Sequence, residues 1–187
     1  MPISINGSGT VTGISVGGLP DGIVDTDMIA ANAVTFAKSA GRKILQVVTS
    51  GINNDATMVA TTSTSYISHS ALPQATITPI NSASDILIIA HIGMQHDGTD
   101  QIENTIYREV SGLSAVDLSA SNTYGLAFNG VNSAEIYSGC YINVTDTGRP
   151  SGTTATTYKW YGRSEFGAEV KLRHQSSVCM TLMEFEP

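Results

Sequence analysis

The run "TYKWYG" (157–162) holds the densest cluster of aromatic side chains in the chain. If extended, it alternates faces, so that Tyr158 and Trp160 share one side and Lys159 and Tyr161 the other. An outward pair of this kind offers flat apolar rings with a polar tip, suited to stacking on a sugar ring or to a protein contact. The opposing expectation is that Trp160, the single tryptophan, fills the core together with Tyr158. A second strip comes from residues 136–144. There Ile136, Ser138, Cys140, Ile142 and Val144 share a core-like face, while Tyr137, Gly139, Tyr141 and Asn143 share a face turned to solvent or to a neighbouring subunit.

Other chemistry is sparse. His91 and His96 are five apart, and on one unbroken strand they point to opposite faces, which is wrong for shared metal ligation. His91 with Leu87 and Ile89, and His174 with Val170 and Leu172, read as partly buried, satisfied side chains. "HDGTDQIE" (96–103) gathers Asp97, Asp100 and Glu103 around a glycine turn but lacks the ligand spacing of a calcium loop. There is no nucleophile elbow, phosphate loop or dinucleotide fingerprint. No pair of carboxylates stands out for acid–base work. No cofactor and no metal are expected, and a non-enzymatic protein is. Asn143-Val144-Thr145 matches a glycosylation sequon, a pattern that also arises by chance. Cys140 and Cys179 lack metal-ligand spacing and read as buried free thiols, with a disulfide as the alternative.

The elements that must position these residues are strands. Charged residues make up only 13% of the 187 positions and hydrophobic ones 41%. Ser, Thr, Gly, Asn and Ala fill the gap, a mixture typical of β-rich, turn-rich proteins with covered surface. The net charge of −7 disfavours nucleic acid as a partner. The basic residues near the end, Arg149 to Arg173, are interleaved with Glu165 and Glu169 and form a mixed surface. "MPISINGSGT" lacks the charged and apolar regions of a signal peptide. The longest apolar run, "ILIIAHI" (86–92), is far short of the ~20 residues a membrane span needs. Synthesis in the cytosol without membrane insertion is expected.

From residue 43, short β-branched runs separated by Asn-Asn-Asp, Asp-Gly, Asn-Gly and Gly-Arg-Pro-Ser-Gly turns predict about eight to ten strands. No long amphipathic helix lies between them, which excludes βαβ units. The expected fold is all-β, an antiparallel sandwich of jelly-roll type over residues 42–187. "SDILIIAHIGMQ" reads as its central strand, covered on both faces. Residues 1–41 form a separate N-terminal segment. Its first twenty residues are extended and glycine-broken. Residues 22–41 carry a weak ten-residue repeat, with helical turns too short to stand alone in water. Their apolar side chains need a partner outside this stretch.

Several stretches resemble a known family. "ISINGSGTVTGISVGGLPDGIVDTDMIAANAVT" is similar to the opening of small fibre-type virion proteins of tailed bacteriophages, notably marine ones. "TSTSYISHSALPQATITPINSASDILIIAHIG", "TTATTYKW" and the closing "TLMEFEP" match later parts of that pattern, in order, through most of the chain. The resemblance implies a virion structural protein made in the host cytoplasm, commonly homotrimeric. Its N-terminal segment docks on another virion protein, and its β-sandwich is displayed outward. On that reading Val24, Ile29, Ala30, Ala33, Val34 and Phe36 pack between copies or in the docking site, in closed rotational symmetry. Tyr158, Trp160, Tyr161, Tyr137 and Tyr141 are the candidate contacts to a host-surface glycan or protein. The alternative is a head-decoration or tail-assembly protein that stabilises the particle and binds no receptor.

Overall fold

The computed structural model describes residues 4–5, 11–12, 43–52, 57–96, 100–120, 122–130, 136–149 and 152–187. The chain divides into two compact units, Met1–Gly41 and Arg42–Pro187. In the first, β1 (Ser4–Ile5) pairs antiparallel with β2 (Val11–Thr12), Ser4 opposite Thr12. Val24, Ile29, Ala30, Ala33, Val34 and Phe36 lie outside the described residues.

The second unit is all-β, with no helix among its described residues. Its strands are β3 (Ile44–Ile52), β4 (Val59–Thr61), β5 (Gln74–Ile77), β6 (Asp85–His96), β7 (Ile102–Val110) and β8 (Val116–Asp117). They continue with β9 (Ala127–Asn129), β10 (Ile136–Asp146), β11 (Thr156–Ser164), β12 (Val170–Arg173) and β13 (Val178–Phe185). All their ladders are antiparallel and fall into two sheets.

The first sheet is organised by β6. β10 pairs along its whole length, from Ile136 opposite His96 to Asp146 opposite Ile86. The other edge of β6 is shared by β13 (Cys179 opposite His91) and β12 (Lys171 opposite Gln95). β12 and β13 are thus one strand interrupted at 174–177. The interruption has a local cause. The Gly93 amide donates to Ser176 Oγ at 3.0 Å, and the His174 amide donates to the Gly93 carbonyl at 3.0 Å. A side chain at Gly93 would meet Ser176 Cβ at 2.7 Å, so this close approach requires glycine. Buried Arg173 holds the bulge from inside, its Nη2 donating to the Ser176 carbonyl and Nη1 to that of Ala71. β3 lies outside β13, and β4 outside β12.

The second sheet runs β5–β11–β7, with β8 and β9 both on the far edge of β7. Alternation sorts its side chains. In β11, Thr156, Tyr158, Trp160, Gly162 and Ser164 are buried, and the residues between them are half-buried. Tyr158 and Trp160 share one apolar core with Ile86, Ile88, Ala90, Ile92 and Met94 of β6, Ile142 of β10 and Met180 and Leu182 of β13. The arrangement is sandwich-like: two sheets, one apolar layer between them. Each large apolar side chain buried there stabilises the fold by about 1.5–3 kcal/mol.

β6 is central within its sheet, but only one of its faces is covered by this unit. Ile89 on the second face is 38% exposed, and neighbouring Val47 of β3 is 53% exposed. The expectation of a strand buried on both faces does not hold for the described residues, because the second sheet packs on one side only.

Candidate functional site

The register of β11 decides the fate of its aromatic cluster. Trp160 and Tyr158 point inward and are fully buried. Trp160 Nε1 donates to Asn104 Oδ1 at 2.9 Å, and Tyr158 Oη donates to Asp146 Oδ2 at 2.9 Å. As contacts to a host surface these two residues are therefore corrected: side chains with no solvent exposure cannot touch a ligand outside. Burial, with Asp146 close by, pushes the Tyr158 hydroxyl well above its ordinary pKa, so it stays a proton donor.

Tyr161, Tyr137 and Tyr141 remain at the surface, but the fold does not bring them together. Tyr161 lies on the outer face of the second sheet, directly across from Thr105. Its ring centroid is 4.2 Å from that of Tyr107, with the planes 37° apart. Tyr107 in turn meets Tyr66 edge-on at 6.4 Å. Around this row the charges are paired. Lys159 Nζ lies 2.6 Å from Glu109 Oε2, and Tyr161 Oη donates to Glu109 Oε1 at 3.1 Å. Arg163 Nε and Nη2 each lie 2.6 Å from Glu103 Oε2, with the guanidinium carbon 4.7 Å above the Tyr66 ring centroid. Burial pushes the Tyr66 hydroxyl up to about 12 against the pull of Arg163. Burial also raises Tyr107 and Tyr161, so all three phenols remain protonated at neutral pH.

Glu103 and Thr105 are buried although they are on the outer face of β7. The chain at 63–67 is one cover over this face, tied down by reciprocal bonds between Ile67 and Gly162 at 2.9 and 3.0 Å. A second backbone bond, from the Leu126 amide to the Asn104 carbonyl at 2.7 Å, holds the segment after β8 close to β7.

Tyr137 and Tyr141 project from the outer face of β10 and are 61% and 72% exposed. They are four residues apart, about 13 Å along an extended strand. Each is flanked by a histidine. His91 lies 5.9 Å from the Tyr141 ring at 31°, and His174 lies 5.0 Å from the Tyr137 ring at 64°. Tyr137 Oη accepts from Gln95 Nε2 at 3.1 Å, and Gln95 Oε1 accepts from Lys171 Nζ at 3.0 Å. Between the two tyrosines Gly139 faces Gly93 across the ladder; the edge of the Tyr141 ring lies over Gly139, 3.2 Å from where its Cβ would be, and Ser176 covers Gly93. The result is a flat strip with a Tyr–His pair at each end.

Sequence reading found the faces of β10 but not the partners. The histidines paired with Tyr137 and Tyr141 come from β6 and from the bulge after β12, positions linked only by the ladder. It also missed Arg108, a cation at an inward position of β7 that pairs with Asp146 of the opposite sheet. The signal was there: in "IENTIYREV" alternation from Ile102 through Ile106 puts Arg108 on the core side, and such a charge needs a partner. Among the described residues no three His, Cys, Asp or Glu side chains converge as metal ligands. No helix of the described chain is long and apolar enough to cross a membrane. Compared with protein-family models and with curated proteins, the chain matches none.

Proposed function

We propose that the protein is a structural component of a bacteriophage virion, a short homotrimeric fibre or appendage whose β-sandwich, of jelly-roll type, is displayed outward and binds the host surface. The N-terminal segment, with Val24, Ile29, Ala30, Ala33, Val34 and Phe36, joins sister chains and docks on another virion protein. The reading starts from the ordered resemblance described above. The observation that carries it furthest is the exposed strip of Tyr137 and Tyr141, 61% and 72% accessible on one face of a regular strand. Large aromatic rings left in water at such a position are suited to stacking on a glycan ring or a protein side chain. Adhesion is non-covalent, with several weak sites acting together across the copies. No catalytic step, cofactor or nucleic acid enters this function.

The test is competition. Purified protein is expected to reduce adsorption of the phage to its host, and Tyr137→Ala with Tyr141→Ala to abolish that effect while circular dichroism stays unchanged. Undiminished competition by the double variant removes the strip from the function.

A second reading has its own support. Beside the strip, Ile44, Val47 and Ile89 are 48%, 53% and 38% exposed on the same sheet; across the ladder Thr181 lies between Thr49 and Ile89, and Met183 between Val47 and Leu87. An uncharged face of this kind fits burial under another virion protein, as in a head-decoration or tail-assembly role. Particles that fall apart without the protein, together with protein that ignores cells, select this reading over the first.

A further inference from the structure

At one margin of the sandwich the two sheets part and leave a cleft of about 300 Å³. One wall is β8 and the turn after it, with Val116, Asp117 and Ala120; the other is the end of β10 and the turn after it, with Thr145 and Thr147; Arg108 and Asp146 lie at its base. We propose that this cleft binds a saccharide through a pair of neighbouring hydroxyls held by Arg108.

Arg108 is 7% exposed, and Nη1 is committed to Asp146, 2.7 Å from Oδ1 and 2.9 Å from Oδ2. That leaves the Nε and Nη2 donors without a protein acceptor among the described residues. Those two nitrogens form one edge of the guanidinium plane, a fork that takes two oxygens side by side. A cation held in place by a buried carboxylate, with a second donor edge that no protein group takes, at a cleft it lines, is a recognition element already oriented for two oxygens.

The surroundings select what the fork takes. Asp117 and Asp146 outweigh the single arginine, and the whole chain carries −7. A carboxylate or phosphate meets that field unfavourably. A vicinal diol carries no charge; its oxygens accept from Arg108, and its protons suit the hydroxyl oxygens of Thr145 and Thr147, since Asp117 already accepts from Thr105 and Ser119 and Asp146 from Arg108 and Tyr158. Val116, 41% exposed, and Leu118 supply an apolar side for the C–H face of a ring. Ala120 holds φ at 50°, in the left-handed region that a non-glycine residue adopts at a cost. That strain sits in the turn forming the cleft wall. The volume is at the low end of small-molecule sites, about 300–1,000 Å³, and suits one sugar unit. The site stands on its own geometry; only its role in adhesion rests on the host-surface reading.

Saturation-transfer NMR on the full chain with methyl hexopyranosides, some with cis and some with trans vicinal diols, tests it. Binding is expected on the order of millimolar. Thr147→Trp, an exposed position that leaves the Arg108–Asp146 pair intact, should weaken it at least tenfold with an unchanged unfolding midpoint. Arg108→Lys, which keeps the charge and removes the fork, should weaken it as much, with some loss of stability because it also loses bonds to Asp146. No binding of any hexoside overturns the site, as does undiminished binding by Thr147→Trp. Acetate or glucuronate binding where neutral hexosides do not also overturns it, in favour of an anion site. Hexoside binding that Thr147→Trp abolishes supports the cleft whether or not the protein binds cells. Cell binding by a protein that takes no hexoside overturns the cleft and leaves the host-surface reading standing.

Discussion

Arg108 of one sheet and Asp146 of the other meet inside the sandwich, Nη1 2.7 Å from Oδ1, with side chains 8% and 2% exposed. The pair crosses the interface between the sheets at the margin where β10 ends. Tyr158 adds a third bond to the same carboxylate. A charged cross-link here fixes how far apart the sheets stand at that margin, since neither ion can leave the other without losing its compensation.

Removing one partner should therefore cost far more than removing the bond from Tyr158. Asp146→Ala is expected to destabilise by about 3–5 kcal/mol, because buried Arg108 is left without a counter-charge. Tyr158→Phe is expected to cost about 1 kcal/mol. Urea unfolding followed by the fluorescence of the single, buried Trp160 measures both. Equal losses in the two variants contradict the cross-link.

Acid should unfold the protein through two buried carboxylates. Burial pushes Asp100 up, but bonds from the Ser164 hydroxyl and the amides of Phe166, Ala168 and Gln101 outweigh it and hold the group below its ordinary range. Glu184 is likewise raised by burial but lowered further by the amides of Asn81 and Ile80 and by Gln46. A folded-state pKa below the unfolded one gives stability that is complete above the unfolded value, about 4, and is lost as pH falls through the folded one. The unfolding midpoint should be flat from neutral pH to about 5 and drop below about 4. Asp100→Asn and Glu184→Gln should each lower stability at pH 7 and shrink the acid-dependent part. A midpoint that rises on acidification contradicts the assignment.

Two glycines with similar backbone angles should respond differently to alanine. Gly125 has φ 72° and Gly112 φ 79°. A Cβ on Gly125 would strike the Asn104 carbonyl oxygen and come within 2.6 Å of Tyr66 Oη, whereas one on Gly112 meets nothing within 4 Å. Gly112→Ala should cost about 1 kcal/mol, the left-handed penalty alone. Gly125→Ala adds overpacking of about 1–3 kcal/mol and should disturb the Tyr66 ring. Thermal unfolding of the two variants, with the Tyr66 ring shifts in NMR, decides the comparison.

The two thiols should separate by reactivity. Cys140 is buried in the core, and burial pushes its pKa up to about 12. Cys179 is half-buried on the other face, across from His91. A thiol-specific reagent should label Cys179 in the native protein, spare Cys140, and count two thiols after denaturation. A count of zero in denaturant shows a disulfide instead and contradicts the free state.

Local pattern alone was enough for the strands and for many of their faces. β-branched runs between glycine and asparagine turns specify antiparallel strands, because side-chain direction along a strand depends only on parity. The sorting of Cys140 and Ile142 from Tyr137 and Tyr141 needed nothing more. Parity could not say which face of β11 is inward, since both faces carry aromatics. The packing of Trp160 against the opposite sheet settled that and withdrew Trp160 and Tyr158 from any surface role. Nor could it reveal that β6 is open on one side, or that Arg108 finds Asp146, His91 finds Tyr141 and His174 finds Tyr137. The composition and alternation of one strand are carried by neighbours in sequence. Register, sheet order and cross-sheet contact join residues far apart in sequence, such as Arg108 with Asp146 and Ile44 with Phe185, and only the collapse of the whole domain around its apolar layer chooses among such pairings.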